Sequence, residues 1–187
     1  MPHWWQMDER TPEEKRQAVV FAARFRYSQQ SFHIKGTNEL WAGDPFDLPQ
    51  GVEPSMPERG RWEIWRNACP PEWTDAQVDA YQFKHWCGAF ALVCLHDAQL
   101  ALDVHWRDGL GFCEPHHLPH VKVPQPGDIA WFLKNQHYAV VERVRGNVFD
   151  SIDGNQGLTM QHPSIKPHVG RELSSVAVFY SIEPFLT

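Results

Sequence analysis

The chain lacks the features that would carry it into a membrane or onto a nucleic acid. Its longest strongly apolar run is the ten residues Trp86–Leu95, and a bilayer-spanning helix needs roughly 18–20. No basic segment followed by an apolar stretch opens the sequence, so the expectation is synthesis in the cytoplasm without a signal peptide. Basic residues are in the minority, 17 Lys and Arg against 23 Asp and Glu, for a net charge of −6. With no basic block, the electrostatic footprint of a nucleic-acid binder is missing. Four cysteines, Cys69, Cys87, Cys94 and Cys113, are too few to staple 187 residues as a disulfide scaffold and read as free thiols. There is no internal repeat. Neither nucleic acid nor membrane is therefore an expected partner.

What is present is an ordinary globular composition, 42% hydrophobic and 21% charged, with 11 histidines and nine tryptophans. Thr11-Pro12-Glu13-Glu14 combines an N-cap threonine, a proline at the first helical position and a glutamate at the third, and predicts a helix to about Ser31. Residues 36–60, rich in Pro, Gly and acid, read as an extended loop or linker. Residues 1–66 are thus expected to be a helical arm with a linker, and 67–187 the main domain. Thr74-Asp75-Ala76-Gln77 repeats the capping pattern and predicts a short helix over 75–82; an apolar helix is expected from near Trp86 to about Leu102. After Gly127 the residues turn to Val, Ile, Phe and Tyr, with strands expected at 128–133, 137–144, 148–152 and 175–182. Arg145-Gly146-Asn147 reads as a hairpin turn. Helices first and antiparallel strands after make an α+β fold, with the Cys87 helix packed on a small antiparallel sheet.

Three segments carry candidate chemistry. Cys87 stands at the start of the apolar helix in His85-Trp86-Cys87-Gly88-Ala89-Phe90, where free N–H groups favour a thiolate and an oxyanion; Gly88 is expected to leave room for a substrate backbone. The plainer reading is a buried structural thiol. His137 opens a strand and is placed to take the thiol proton, the alternative being a surface histidine at a strand end. Asp153-Gly154-Asn155-Gln156-Gly157 ends the neighbouring strand, where Asp153 or Asn155 would orient His137 unless the segment is only a Gly-rich turn. Asp153 is preferred, since a carboxylate stabilises an imidazolium by charge as well as by hydrogen bond.

In this order, Trp86-Cys87-Gly88-Ala89-Phe90, Pro126-Gly127-Asp128-Ile129-Ala130-Trp131-Phe132, His137-Tyr138-Ala139-Val140-Val141 and Asp153-Gly154-Asn155-Gln156-Gly157 resemble the CHAP/NlpC-type branch of papain-like cysteine peptidases, over roughly residues 75–182. The resemblance implies a papain-like fold and a cysteine amidohydrolase, an amidase or endopeptidase, that cuts an amide in peptidoglycan. Cys87 would be the nucleophile, His137 the base, and Asp153 or Asn155 the third residue. It also implies a wall hydrolase that acts in the periplasm or cell wall after export. That describes either a phage-type lysin or an antibacterial toxin effector delivered by secretion machinery, with a cognate immunity protein in its producer.

Trp86, Trp106 and Trp131 are candidates to wall the cleft, though tryptophans more often belong to the core. Cys113-Glu114-Pro115-His116-His117-Leu118-Pro119-His120 has metal-ligating residue types, but the prolines interrupt a regular ligand frame, and a loop lining the cleft is expected instead. No metal or other cofactor is expected, because thiol and imidazole already supply nucleophile and base. Two rival readings remain: a papain-like enzyme acting on a protein amide outside the wall, and an inactive binding module on the same fold.

Overall fold

The structure, a computed structural model, describes residues 8–37, 39–81, 86–106, 111–156 and 164–187. His85, the start of the His-rich segment at 109–110 and Gly157 lie outside the described residues.

Helix α1 (Pro12–Ser28) begins as its sequence predicts. Thr11 Oγ1 accepts the Glu14 N–H at 3.3 Å, and Glu14 Oε2 accepts the Thr11 N–H at 2.7 Å. A two-stranded antiparallel sheet, β1 (Ser31–Ile34) and β2 (Val52–Ser55), follows, then α2 (Glu58–Ala68) and α3 (Asp75–Asp79). The second capping box, Thr74 with Gln77, opens α3. Helix α4 (Cys87–Asp97) is apolar all round, and every residue from Cys87 to Leu95 is buried. Such a helix must be covered on all sides; α1, α2 and strands β5 and β6 cover this one.

The remaining strands are β3 (His120–Val121), β4 (Ile129–Phe132), β5 (His137–Arg145), β6 (Val148–Gln156), β7 (Ser164–Glu172) and β8 (Val178–Tyr180). They form one six-stranded antiparallel sheet in the order β3-β8-β4-β5-β6-β7. Strand alternation divides it into two faces. Ile129, Val140, Ile152 and Tyr180 join the main core with α4. Ala130, Ala139, Val141, Phe149 and Phe179 form a second, smaller core on the other face. The chain is thus α+β, with the apolar helix packed on an antiparallel sheet.

Several expectations are corrected. Residues 36–60 are not all loop, since they contain β2 and the start of α2. Helix α2 crosses the boundary drawn at residue 66, and Val19, Ala23, Tyr27, Ile64 and Trp65 share one core with α4. The first helix is also tied to the sheet by buried charge. Arg16 Nη1 lies 2.7 Å from Asp128 Oδ1, with both side chains at most 5% exposed. Asp128 further accepts the Gln125 and Ile182 N–H groups at 2.8 and 3.1 Å. Helix α4 stops at Asp97 rather than near Leu102, because Gln99 and Ala101 take left-handed conformations at φ 60° and 52°. The last strand covers only Val178–Tyr180, and β7 is an addition that no expectation included.

Candidate active site

Cys87 is the first residue of α4, with Trp86 as N-cap. The first helical bond is Phe90 N–H to the Trp86 carbonyl at 2.8 Å, so the N–H groups of Cys87, Gly88 and Ala89 precede the intrahelical ladder. They supply partial positive charge and donors at the thiol. Its Sγ lies 4.0 Å from the carbonyl oxygen of Gln136, the residue before His137. Gln136 is left-handed at φ 48° and turns the short 3₁₀ segment Leu133–Asn135 into β5, so that His137 starts the strand beside the thiol.

His137 is buried, at 6% exposure. Its Nε2 lies 2.9 Å from Asp153 Oδ2, and its ring also hydrogen-bonds Cys87. Burial works against the imidazolium, but hydrogen bonds to Asp153 and to Cys87, with their charges, outweigh it and push its pKa up to about 9. The buried Asp153 carboxyl is penalised by its own desolvation. The His137 hydrogen bond and the charges of Arg171, His137 and His168 nonetheless hold its pKa below the usual value.

The β5–β6 register explains the partner. Val140 opposes Ile152, and continuing that register places Asn155 opposite His137 and Asp153 on the diagonal of the same face. The Asp153 carboxylate reaches across that diagonal. Asn155 sits at φ 57°, where the β6–β7 register shifts between Asp153 and Gln156.

Ser151, two residues back on the same face, donates its hydroxyl to Asp153 Oδ1 at 2.7 Å. Arg171 Nη2 lies 2.8 Å and His168 Nε2 3.8 Å from Asp153 Oδ2. Nothing in the local sequence marks Ser151, His168 or Arg171 as site residues. The last two lie on β7, whose Lys166-Pro167-His168 run hides a strand. Pro167 is tolerated because β7 is the edge of the sheet.

The residues expected to touch substrate divide differently. Trp86 is 1% exposed and packs edge-to-face on Phe90, so it is a core residue and not a cleft wall. Gly88 leaves no room for a substrate backbone, since a Cβ there would run into the Trp106 ring and lie 3.1 Å from Tyr138. Its role is to admit those two rings beside the thiol. Trp131 is half-buried on β4, directly opposite Tyr138. Gly154 makes no turn. It is mid-strand, where a Cβ would come within 2.6 Å of Phe90 Cβ, so glycine allows β6 to pass against α4.

In the Cys113–His120 segment, Cys113 is buried and Glu114 accepts the Tyr180 hydroxyl at 2.6 Å, while His120 lies edge-on to Tyr180. Among the described residues no three His, Cys, Asp or Glu side chains converge as a metal site. No helix of the described residues is long and apolar enough to cross a membrane. The four cysteines are free and buried. Comparison with known proteins adds no relative: no family model matches the chain, and no curated protein or solved structure does.

Proposed function

We propose that this chain is a papain-like cysteine amidohydrolase that cleaves an amide of peptidoglycan. The observation that carries the reading is the buried relay from Cys87, at the first turn of α4, through His137 to Asp153. The thiol passes its proton to His137, and Asp153 stabilises the imidazolium. The thiolate attacks the amide carbonyl, and the oxyanion forms beside the first-turn N–H groups of α4. The imidazolium then protonates the leaving amine as the C–N bond breaks, giving a thioester. His137 next takes a proton from water, which attacks the thioester and releases the acid and the thiol. The substrate class is supported by the likeness of the four motifs to CHAP/NlpC-type enzymes.

The test is digestion of purified sacculi, with the soluble fragments identified by mass spectrometry. The native chain is expected to release fragments with one new amine and one new carboxylate per cut. Cys87→Ala, still folded, should lose on the order of 10⁴-fold or more of that rate. Intact sacculi after incubation with a native chain whose Cys87 is reactive would overturn the wall substrate and leave a protein amide as the target.

A further inference from the structure

The residue on β7 nearest the relay is a cation. Arg171 Nη2 lies 2.8 Å from the same Asp153 oxygen that accepts from His137. The guanidinium carbon stands 4.7 Å over the Phe132 ring, and Phe132 faces His137 across β4–β5 with ring centroids 6.2 Å apart. The Arg171 side chain is 20% exposed, and its Nη1 is buried with no hydrogen-bond partner among the described residues. The guanidinium lies where its charge meets the carboxylate.

The working form of the site requires that charge. A thiolate, an imidazolium and a carboxylate together carry one net negative charge. Asp153 is fully buried, and an uncompensated charge in such a place is costly. Among the described residues, the titratable and charged groups around Asp153 are His137 from β5, with Cys87 of α4 beyond it, and Lys166, His168 and Arg171 from β7. Burial and the Arg171 charge drive His168 towards neutrality, although Asp153 opposes this. Among the described residues, Arg171 is the permanent cation in direct contact with the carboxylate.

We propose that Arg171 is a positioning residue of the active site, which clamps the ionised Asp153 against His137 and balances the charge of the thiolate–imidazolium–carboxylate array. A fixed cation lowers the proton affinity of every group near it. Removing it should shift both the His137 titration and the pH profile of Cys87 alkylation to higher pH. A lysine, which keeps the charge, should preserve both. A residue that merely packs would lose stability without moving either curve.

The inference rests on the proposed Cys87–His137 chemistry, but its readouts need no substrate, so a chain inert on sacculi still reports on Arg171. The experiment is an NMR titration of His137 in the full chain, with iodoacetamide kinetics at Cys87, for native protein, Arg171→Met, Arg171→Gln and Arg171→Lys. Arg143→Met, which removes an exposed cation elsewhere in the sheet, is the control. Both curves are expected to rise by about half a pH unit or more in the Met and Gln variants, roughly a threefold change in proton affinity. In the Lys variant and the control they should stay in place. Unmoved curves in the neutral variants, or a Lys variant shifted as far as they are, would overturn the proposal. If neither neutral variant folds, the Lys variant decides. Alkylation within about twofold of native supports the charge role, and a loss of about tenfold or more assigns Arg171 to packing.

Discussion

Strand β6 carries two buried aspartates three residues apart, Asp150 and Asp153, on opposite faces of the sheet. Both are clamped by cations, and burial raises the pKa of each while their partners lower it further. Asp150 is held by Arg143 Nη2 at 2.8 Å, Arg145 Nη2 at 2.7 Å and the Gly170 N–H at 2.9 Å. Those arginine side chains are 60% and 47% exposed, and neither changes charge near neutral pH. Asp153 is held by one arginine and by His137, a group that can give up a proton and that itself touches a thiol. A buried carboxylate is thus no sign of chemistry in itself. What distinguishes the two ends of β6 is a titratable partner in series with a thiol.

The largest expected effect tests that distinction directly. Asp153→Asn should lower kcat by roughly 10²–10⁴-fold and move the alkaline limb down from about 9, because His137 loses its carboxylate. Asp150→Asn should keep kcat within about twofold and cost stability of about 1–3 kcal/mol, as a broken buried network does. Asn155→Ala should affect kcat less than Asp153→Asn. Equal losses of kcat in the two aspartate variants, measured on one substrate, would erase the distinction between the two ends.

Gly154→Ala probes the contact that brings α4 to the Asp153 end. With a Cβ placed 2.6 Å from Phe90 Cβ, the helix and strand must separate, at a cost of about 1–3 kcal/mol. Urea melts should show that loss, and alkylation of Cys87 should slow with it. A native-like melting curve would mean that the close approach is not needed.

The smallest effect is on stability against pH. The His137 pKa is raised on folding, so its contribution is full below the ordinary value of 6.5 and is lost as pH rises through about 9. The Asp153 pKa is lowered on folding, so its contribution is full above the ordinary 3.8 and is lost as pH falls through the lower folded value. Between those limits both contribute. Urea midpoints should fall on the alkaline side in the native chain, and less so in His137→Gln.

The helix starts were legible because capping is local. Thr11 with Glu14 and Thr74 with Gln77 announce α1 and α3 in four residues each. The Cys87, His137 and Asp153 positions were legible from element ends and a short hairpin. Burial and long-range contact hid the rest. Trp86 and Gly88 resemble cleft residues until the packing of Phe90 and Trp106 is known. Ala98, Leu100 and Ala101 prolong a helical composition through a buried turn that is not helical. Arg171 is 18 residues beyond Asp153 in the sequence and lies on an edge strand disguised by Pro167.

Iodoacetamide reactivity of the four cysteines in the native chain at neutral pH, resolved by peptide mass spectrometry, tests the central claim most directly. Burial pushes Cys69 up to about 11 and also raises Cys94 and Cys113 well above the ordinary thiol value, so these three should react slowly. Cys87, beside His137 at the start of α4, should be alkylated first, and His137→Ala should slow it by about tenfold or more. Alkylation of Cys87 no faster than the other three, or unaffected by loss of His137, would contradict the account.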